Sequence, residues 1–189
     1  MKKLTITMIL VVVIALGWND ILLFYFPHVR RFLGGWKRLA HEPSQEWFCE
    51  NLQIIVRRLK DETSAVIGLV SLSQMGENPE SKHPVQNDLN RLFKQYSEIV
   101  KTIARQEDTK YIPFYESMNE RLMASPGRDF TVFKFRSMYY DAFRQYILRQ
   151  TLDEISQENS WQFHVDGLHL NSRGGMILAN LVQEFLDGS

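Results

Sequence analysis

The stretch ITMILVVVIALGWND, residues 6–20, decides which fold the chain can adopt. Its first eleven residues, 6–16, are apolar apart from Thr7 and are rich in Ile and Val, which favour β-strands. A continuous apolar run of this kind is typical of a parallel strand that is covered on both faces. The pattern therefore predicts a buried strand at residues 6–16, followed by GWND as the loop at its carboxyl end.

Two other interpretations of the amino terminus stay open on the sequence alone. MKKLTITMILVVVIALG has the basic start and apolar run of a signal peptide, with Ala15-Leu16-Gly17 as a small-x-small cleavage site. Carried on to Phe26, the run resembles a membrane anchor, in which Asp20 would cost about 2.5–3.5 kcal/mol. A strand favours a cytoplasmic protein, whereas a signal or an anchor implies a secreted or membrane-anchored one.

Composition predicts one domain, residues 1–189, since 44% of the 189 residues are apolar and can build a sizeable core. Lys and Arg together number 22, as do Asp and Glu, and this balance argues against a nucleic-acid partner. The one cysteine, Cys49, excludes an internal disulfide and is expected to be a small buried residue.

Helical and strand patterns alternate along the rest of the chain. Helical stripes occupy 44–63, 85–108, 137–157 and 172–186, and apolar strands occupy 65–72 and 110–115. The alternation predicts an α/β fold with a parallel sheet between helical layers. Ligands of such sheets bind beyond the carboxyl ends of the strands. The aromatic stripe at 138–148 is expected to pack in the core, with an acyl pocket or a membrane interface as alternatives.

A candidate catalytic pair lies in DGLHLNSRGG, residues 166–175, just before the last helix. His169 can act as a base because histidine titrates near neutral pH, and Asp166 can orient its ring. The amide of Asn19, after the first strand, can donate to a developing oxyanion. In general an Asp and a His at this spacing more often form a helix cap and a surface hydrogen bond.

The nucleophile is harder to find in the sequence. Ser71 and Ser73, at the end of the second strand, are the nearest hydroxyls by topology. His164 could join Asp166 and His169 in a metal site. That interpretation is the weaker one, because a loop that enters a helix need not direct His164 to the same centre. We expect neither a metal nor a cofactor.

Together, ALGWND and DGLHLNSRGG resemble the SGNH hydrolases, also called GDSL esterases and lipases, and the resemblance extends over residues 8–186. The family's Gly-x-Asn-Asp block stands as Gly17-Trp18-Asn19-Asp20, and its Asp-x-x-His block as Asp166-Gly167-Leu168-His169. The resemblance implies a flavodoxin-like three-layer α/β/α sandwich and hydrolysis of small ester or acyl substrates through a serine acyl-enzyme. It makes Asp166 and His169 catalytic, Asn19 an oxyanion donor and Gly17 a loop residue.

The sequence departs from the family at the nucleophile, because it contains no Gly-Asp-Ser. The family carries that block on a strand well before Gly-x-Asn-Asp, whereas sixteen residues precede Gly17 here. We therefore expect a truncated hydrolase that lacks two strands, has little activity and self-associates through an open sheet edge. The competing class is a non-catalytic binding domain with residues 1–26 as its anchor or signal.

Overall fold

The computed structural model describes residues 10–37 and 41–188, and its sheet is parallel. The described strands are β1 (Val11–Ile14), β2 (Val66–Val70) and β3 (Lys110–Ile112), in the order β1-β2-β3. The register runs from Val11↔Val66 to Ile14↔Leu69 and from Gly68↔Lys110 to Val70↔Ile112. The strand predicted at residues 6–16 is confirmed for 11–14, and residues 6–9 lie outside the described part.

Helices cover both faces of the sheet, so the α/β fold class predicted from the sequence is confirmed. The described helices are α1 (Trp18–Tyr25), α2 (Pro27–Lys37), α3 (Gln45–Glu62), α4 (Pro84–Gln106), α5 (Phe114–Ala124), α6 (Phe135–Tyr146), α7 (Leu152–Glu158) and α8 (Ser172–Asp187). Within these ranges, no helix combines the length and apolar character that crossing a membrane requires.

Two separate cores form because successive side chains of a strand point to opposite faces of the sheet. Ile67 and Leu69 belong to the larger core, with buried side chains of α1, α3 and α4. Val70 belongs to the smaller core, which holds buried residues of α5 and α8. A central strand that is buried on both faces is the arrangement that the continuous apolar runs predicted.

The stretch GWND forms a helix start instead of the predicted loop. Gly17 is the N-cap of α1, and Trp18 is its first helical residue. Gly17 has φ 115°, and a Cβ there would lie 2.7 Å from the Leu72 side chain, so the position requires glycine. Ile21 on α1 is fully buried. Residues 10–26 therefore do not form the single continuous helix that the anchor interpretation needed.

A single helix at 137–157 is wrong as well, because the chain forms α6 and α7 there. Arg149, between the two helices, has φ 57°, which interrupts helical geometry. Thr151 and Glu154 then form a capping box that starts α7. Helices α1, α2 and α5 were not predicted from the sequence, and Cys49 is half-buried on α3 instead of buried.

The prediction that the 138–148 stripe packs in the core is also wrong. Tyr139 is 58% exposed and Tyr146 is 75% exposed, whereas Arg144 is the buried residue of α6. The Arg144 guanidinium donates to Asp141, Gln150, Glu158 and Asn159. With its donors satisfied, the charged side chain can be buried, and the aromatic face of the helix turns outward.

Candidate active site

Asp166 and His169 form a hydrogen-bonded pair in the turn before α8. His169 Nδ1 lies 2.8 Å from Asp166 Oδ2. Asp166 Oδ1 accepts the backbone N–H groups of Leu168, at 3.0 Å, and His169, at 2.8 Å. An ionised carboxylate can only accept, so Nδ1 carries the proton and Nε2 is left as the basic atom. The His169 side chain is 66% exposed, which leaves this atom accessible.

The contact between Asp166 and His169 shifts the pKa of each residue in the direction that favours its charged form. The hydrogen bond to Asp166 raises the pKa of His169 above its usual value, against the opposing effect of burial. Burial works to raise the pKa of Asp166, but the hydrogen bond and charge of His169 and the two backbone N–H groups outweigh it and lower that pKa. Asp166 can therefore stabilise the imidazolium that forms when His169 takes a proton.

The turn that carries the pair is closed on itself. Val165 N–H donates to His169 O at 2.7 Å, and Asn171 N–H donates to Phe163 O at 3.0 Å. Asn171 is also the N-cap of α8, and its side chain accepts the N–H groups of Arg173 and Gly174. The turn and the start of α8 are therefore one hydrogen-bonded unit.

The loop that follows β2 joins both sequence blocks at the carboxyl end of the sheet. Trp18 Nε1 donates to Ser73 O at 3.0 Å, which attaches the GWND block to this loop. Gly76 N–H donates to Gly167 O at 2.8 Å, which attaches the turn of Asp166 and His169 to this loop. Placement at this end of the sheet agrees with the rule for ligand sites in parallel sheets.

The structure does not bring Asn19 and His169 into one cavity. Asn19 is exposed on α1 and lines a cavity of about 330 Å³ with Trp47 and Ile55. His169 lines another of about 380 Å³, mainly with residues of α6 and α7 such as Tyr146. The two cavities share no lining residue, so the role of Asn19 as an oxyanion donor stays a prediction.

Neither candidate serine is placed as a nucleophile. Ser71 is fully buried, its Oγ donates to Ile112 O at 3.2 Å, and it accepts Tyr115 N–H at 2.9 Å. Ser73 is 2% exposed. Within residues 10–37 and 41–188, no Ser or Thr hydroxyl is hydrogen-bonded to the His169 ring.

His164 contacts Glu77 instead of Asp166 and His169, contrary to what a shared metal site would require. Its Nδ1 lies 2.9 Å from Oε1 of Glu77, a buried residue in the loop after β2. In the described part of the chain, no three metal-binding side chains come together. Glu77 could not be predicted from the sequence, because nothing local marks a partner 87 residues away.

Comparison with solved structures identifies the fold. Axe2, an acetylxylan esterase from Geobacillus stearothermophilus, matches with a TM-score of 0.56 at 17% identity, over 91% of this chain and 57% of that chain. A GDSL-like lipase from Parabacteroides merdae matches with a TM-score of 0.54 at 13% identity, over 92% and 58% of the two chains. The chain has an SGNH/GDSL-hydrolase-like fold. It spans a little over half the length of these SGNH-fold structures. No family model and no curated protein sequence matches it significantly.

Several solved structures of Axe2 are of variants described as catalytic mutants. In them a serine, an aspartate or a histidine is replaced by alanine, and the replaced aspartate and histidine lie three residues apart. Asp166 and His169 have the same spacing in this SGNH-like chain.

Proposed function

We propose that the chain is the part of an SGNH-type ester hydrolase that carries the base and its orienting acid. The observation that carries the proposal is the Asp166–His169 hydrogen bond of 2.8 Å, in a turn tied to the carboxyl end of the sheet. The fold of the neighbouring esterases and the matching spacing of their catalytic aspartate and histidine support it.

The proposed reaction is acyl transfer from a small ester to a serine and then to water. His169 Nε2 takes the proton of the attacking serine hydroxyl, and Asp166 stabilises the imidazolium. His169 then returns the proton to the leaving alcohol, and water repeats the cycle on the acyl-enzyme. The Asn19 amide donates to the oxyanion of each tetrahedral intermediate. This role needs Asn19 to reach the same carbonyl as His169, either on substrate binding or once the nucleophile segment is present.

We place the nucleophile on a segment outside these 189 residues. The sequence has no Gly-Asp-Ser, and Ser71 and Ser73 are buried with Ser71 Oγ already hydrogen-bonded. We therefore expect the 189-residue chain alone to give no turnover of p-nitrophenyl acetate above a buffer blank. Turnover that disappears on Ser71→Ala or Ser73→Ala would place the nucleophile within the chain and refute this assignment.

The positive test uses a longer chain that begins at an in-frame Gly-Asp-Ser upstream of the Met1 codon. In it, His169→Ala should lower kcat by about 10⁶-fold and Asn19→Ala by about 10²–10³-fold. His41→Ala is the matched control, because His41 is exposed and lies outside the turn of the catalytic pair, and it should leave kcat unchanged. A longer chain that hydrolyses the ester equally well with His169→Ala would refute the proposed function.

The alternative function, a binding domain with residues 1–26 as an anchor or signal, has less support. Val11–Ile14 pair with β2, and Ile21 and Leu22 of α1 lie in the larger core. Cleavage of a signal after Gly17 would take away strand β1, and placing residues 1–26 in a bilayer would take away both the strand and this part of the core. Comparing the urea unfolding of the full chain with that of residues 18–189 would test the point, since equal stability would favour a cleaved signal.

A further inference from the structure

A buried carboxylate lies behind the catalytic turn and holds its backbone. Glu77 and His164 are 0% and 1% exposed, and Glu77 Oε1 lies 2.9 Å from His164 Nδ1. Oε1 also accepts the N–H groups of Phe163, at 2.7 Å, and His164, at 3.0 Å. Oε2 accepts the N–H of Gln162 at 2.7 Å. Four donors therefore satisfy the two oxygens, which is the condition for burying a carboxylate.

The loop after β2 also holds the tip of the turn, through Gly76, the residue before Glu77. Gly76 N–H donates to Gly167 O at 2.8 Å, between Asp166 and His169 in the sequence. Gly167 has φ 85°, and a Cβ there would lie 2.7 Å from the Trp161 ring, so glycine allows this close approach. Residues 76 and 77 thus fix both the tip and the base of the turn.

Among the described residues, the hydrogen bonding of the His164 ring is confined to Glu77, although the ring also packs edge-to-face on Trp161. Its Nδ1 must donate, because the ionised Glu77 carboxylate can only accept. Its Nε2 is buried and has no hydrogen-bond partner among the described residues. Burial works to raise the pKa of Glu77, but the hydrogen bond from His164 and the backbone N–H groups of Gln162 and Phe163 outweigh it and lower that pKa.

We infer that Glu77 and His164 are positioning residues, which hold backbone 162–164 so that Asp166 and His169 keep their hydrogen bond. The importance of these residues for catalysis rests on the proposed function, whereas the experiment that tests their positioning role does not. A contact that only adds global stability would leave the His169 ring unchanged in any folded variant. Removal of a positioning contact would instead change the titration of the His169 ring.

The test follows the His169 ring by NMR through a pH titration of the full chain, with His169→Gln used to assign its signal. In folded Glu77→Gln, the titration midpoint of His169 should move down toward that of an ordinary histidine, since the Asp166 contact is loosened. Glu80→Gln is the matched control, because Glu80 lies in the same loop but is exposed, and it should leave the midpoint unchanged. A folded Glu77→Gln with the wild-type midpoint would overturn the inference.

Two further measurements apply if Glu77→Gln does not fold. His164→Asn can place an N–H near the position of Nδ1, whereas His164→Leu cannot, so only the leucine variant should lower the midpoint. Equal midpoints in the two variants would overturn the inference. In the unmodified chain, the amides of Phe163 and His164 should exchange as slowly as those of β2, and immediate exchange would also overturn it.

These outcomes separate the inference from the proposed function. The titration needs no substrate, so an inactive longer chain would refute the hydrolase proposal and leave the positioning result standing. In an active longer chain, Glu77→Gln should lower kcat more than it raises KM, because the base is misplaced while the substrate cavity is kept.

Discussion

Two adjacent glycines of α8 provide a matched test of how tightly the helix packs on the turn that carries Asp166 and His169. A Cβ added to Gly174 would lie 2.3 Å from the carbonyl oxygen of Phe163, whereas one added to Gly175 would meet nothing within 4 Å. Ordinary contact begins at 3.4 Å, so Gly174→Ala must open the packing by about 1 Å. Overpacking of this kind costs roughly 1–3 kcal/mol.

The helix propensity gained on replacing glycine by alanine is about 0.5–1 kcal/mol and is shared by both variants. We therefore expect Gly175→Ala to raise the free energy of unfolding by that amount. Gly174→Ala should be less stable than Gly175→Ala by roughly 1–3 kcal/mol. Urea unfolding of the two variants, followed by circular dichroism, measures the difference. A difference below about 0.5 kcal/mol would show that the turn yields easily and that the packing argument is wrong.

Three further predictions concern charge and the sheet edge. Asp166→Asn should lower the pKa of His169, as measured by NMR. Because the folded pKa of His169 is raised, the stabilisation by the pair declines as pH rises from the unfolded pKa of about 6.5 through the folded value. Because the folded pKa of Asp166 is lowered, the stabilisation also declines as pH falls from the unfolded pKa of about 3.9 through the folded value. The stability contributed by Glu77 has the opposite pH dependence to that of His169, because its lowered pKa gives stability that is lost as pH falls through the folded value. Glu77→Gln should therefore weaken the dependence of the free energy of unfolding on acid pH. Val13 is 37% exposed on β1, an edge strand of the described sheet, so Val13→Lys should reduce self-association in sedimentation experiments; unchanged association would point to another surface.

The strands and helices that the sequence predicted correctly are those in which apolar residues form a continuous run or recur with the helical period. The Ile/Val run gave β1, and helical stripes gave α3, α4 and α8 close to their observed bounds. Ser44, at the start of the predicted stripe, is the N-cap of α3, and its Oγ accepts Trp47 N–H at 3.1 Å. The hydrogen bond between Asp166 and His169 follows from a spacing of three residues in one turn, although their catalytic role remains a prediction.

Two features that the sequence did not predict, the burial of Arg144 and that of Glu77, depend on contacts between distant residues. The burial of Arg144 depends on acceptors from α7 and the residues that flank it, and this reverses the face of α6 that the apolar pattern indicated. Glu77 is buried because backbone N–H groups 85–87 residues away satisfy its oxygens. A local pattern of polar and apolar residues carries no information about such partners.

The hydrogen bonds from the main chain to Glu77 determine which amino-acid substitutions the turn can accept. Its carboxylate binds the amides of residues 162 and 163 and not their side chains, so most substitutions at these two positions leave both hydrogen bonds in place. Proline is the exception, because it has no N–H to donate. Related chains could therefore vary in sequence beside Asp166 and His169 while keeping the backbone of the turn fixed, provided that they retain the acid at position 77 and exclude proline at positions 162 and 163.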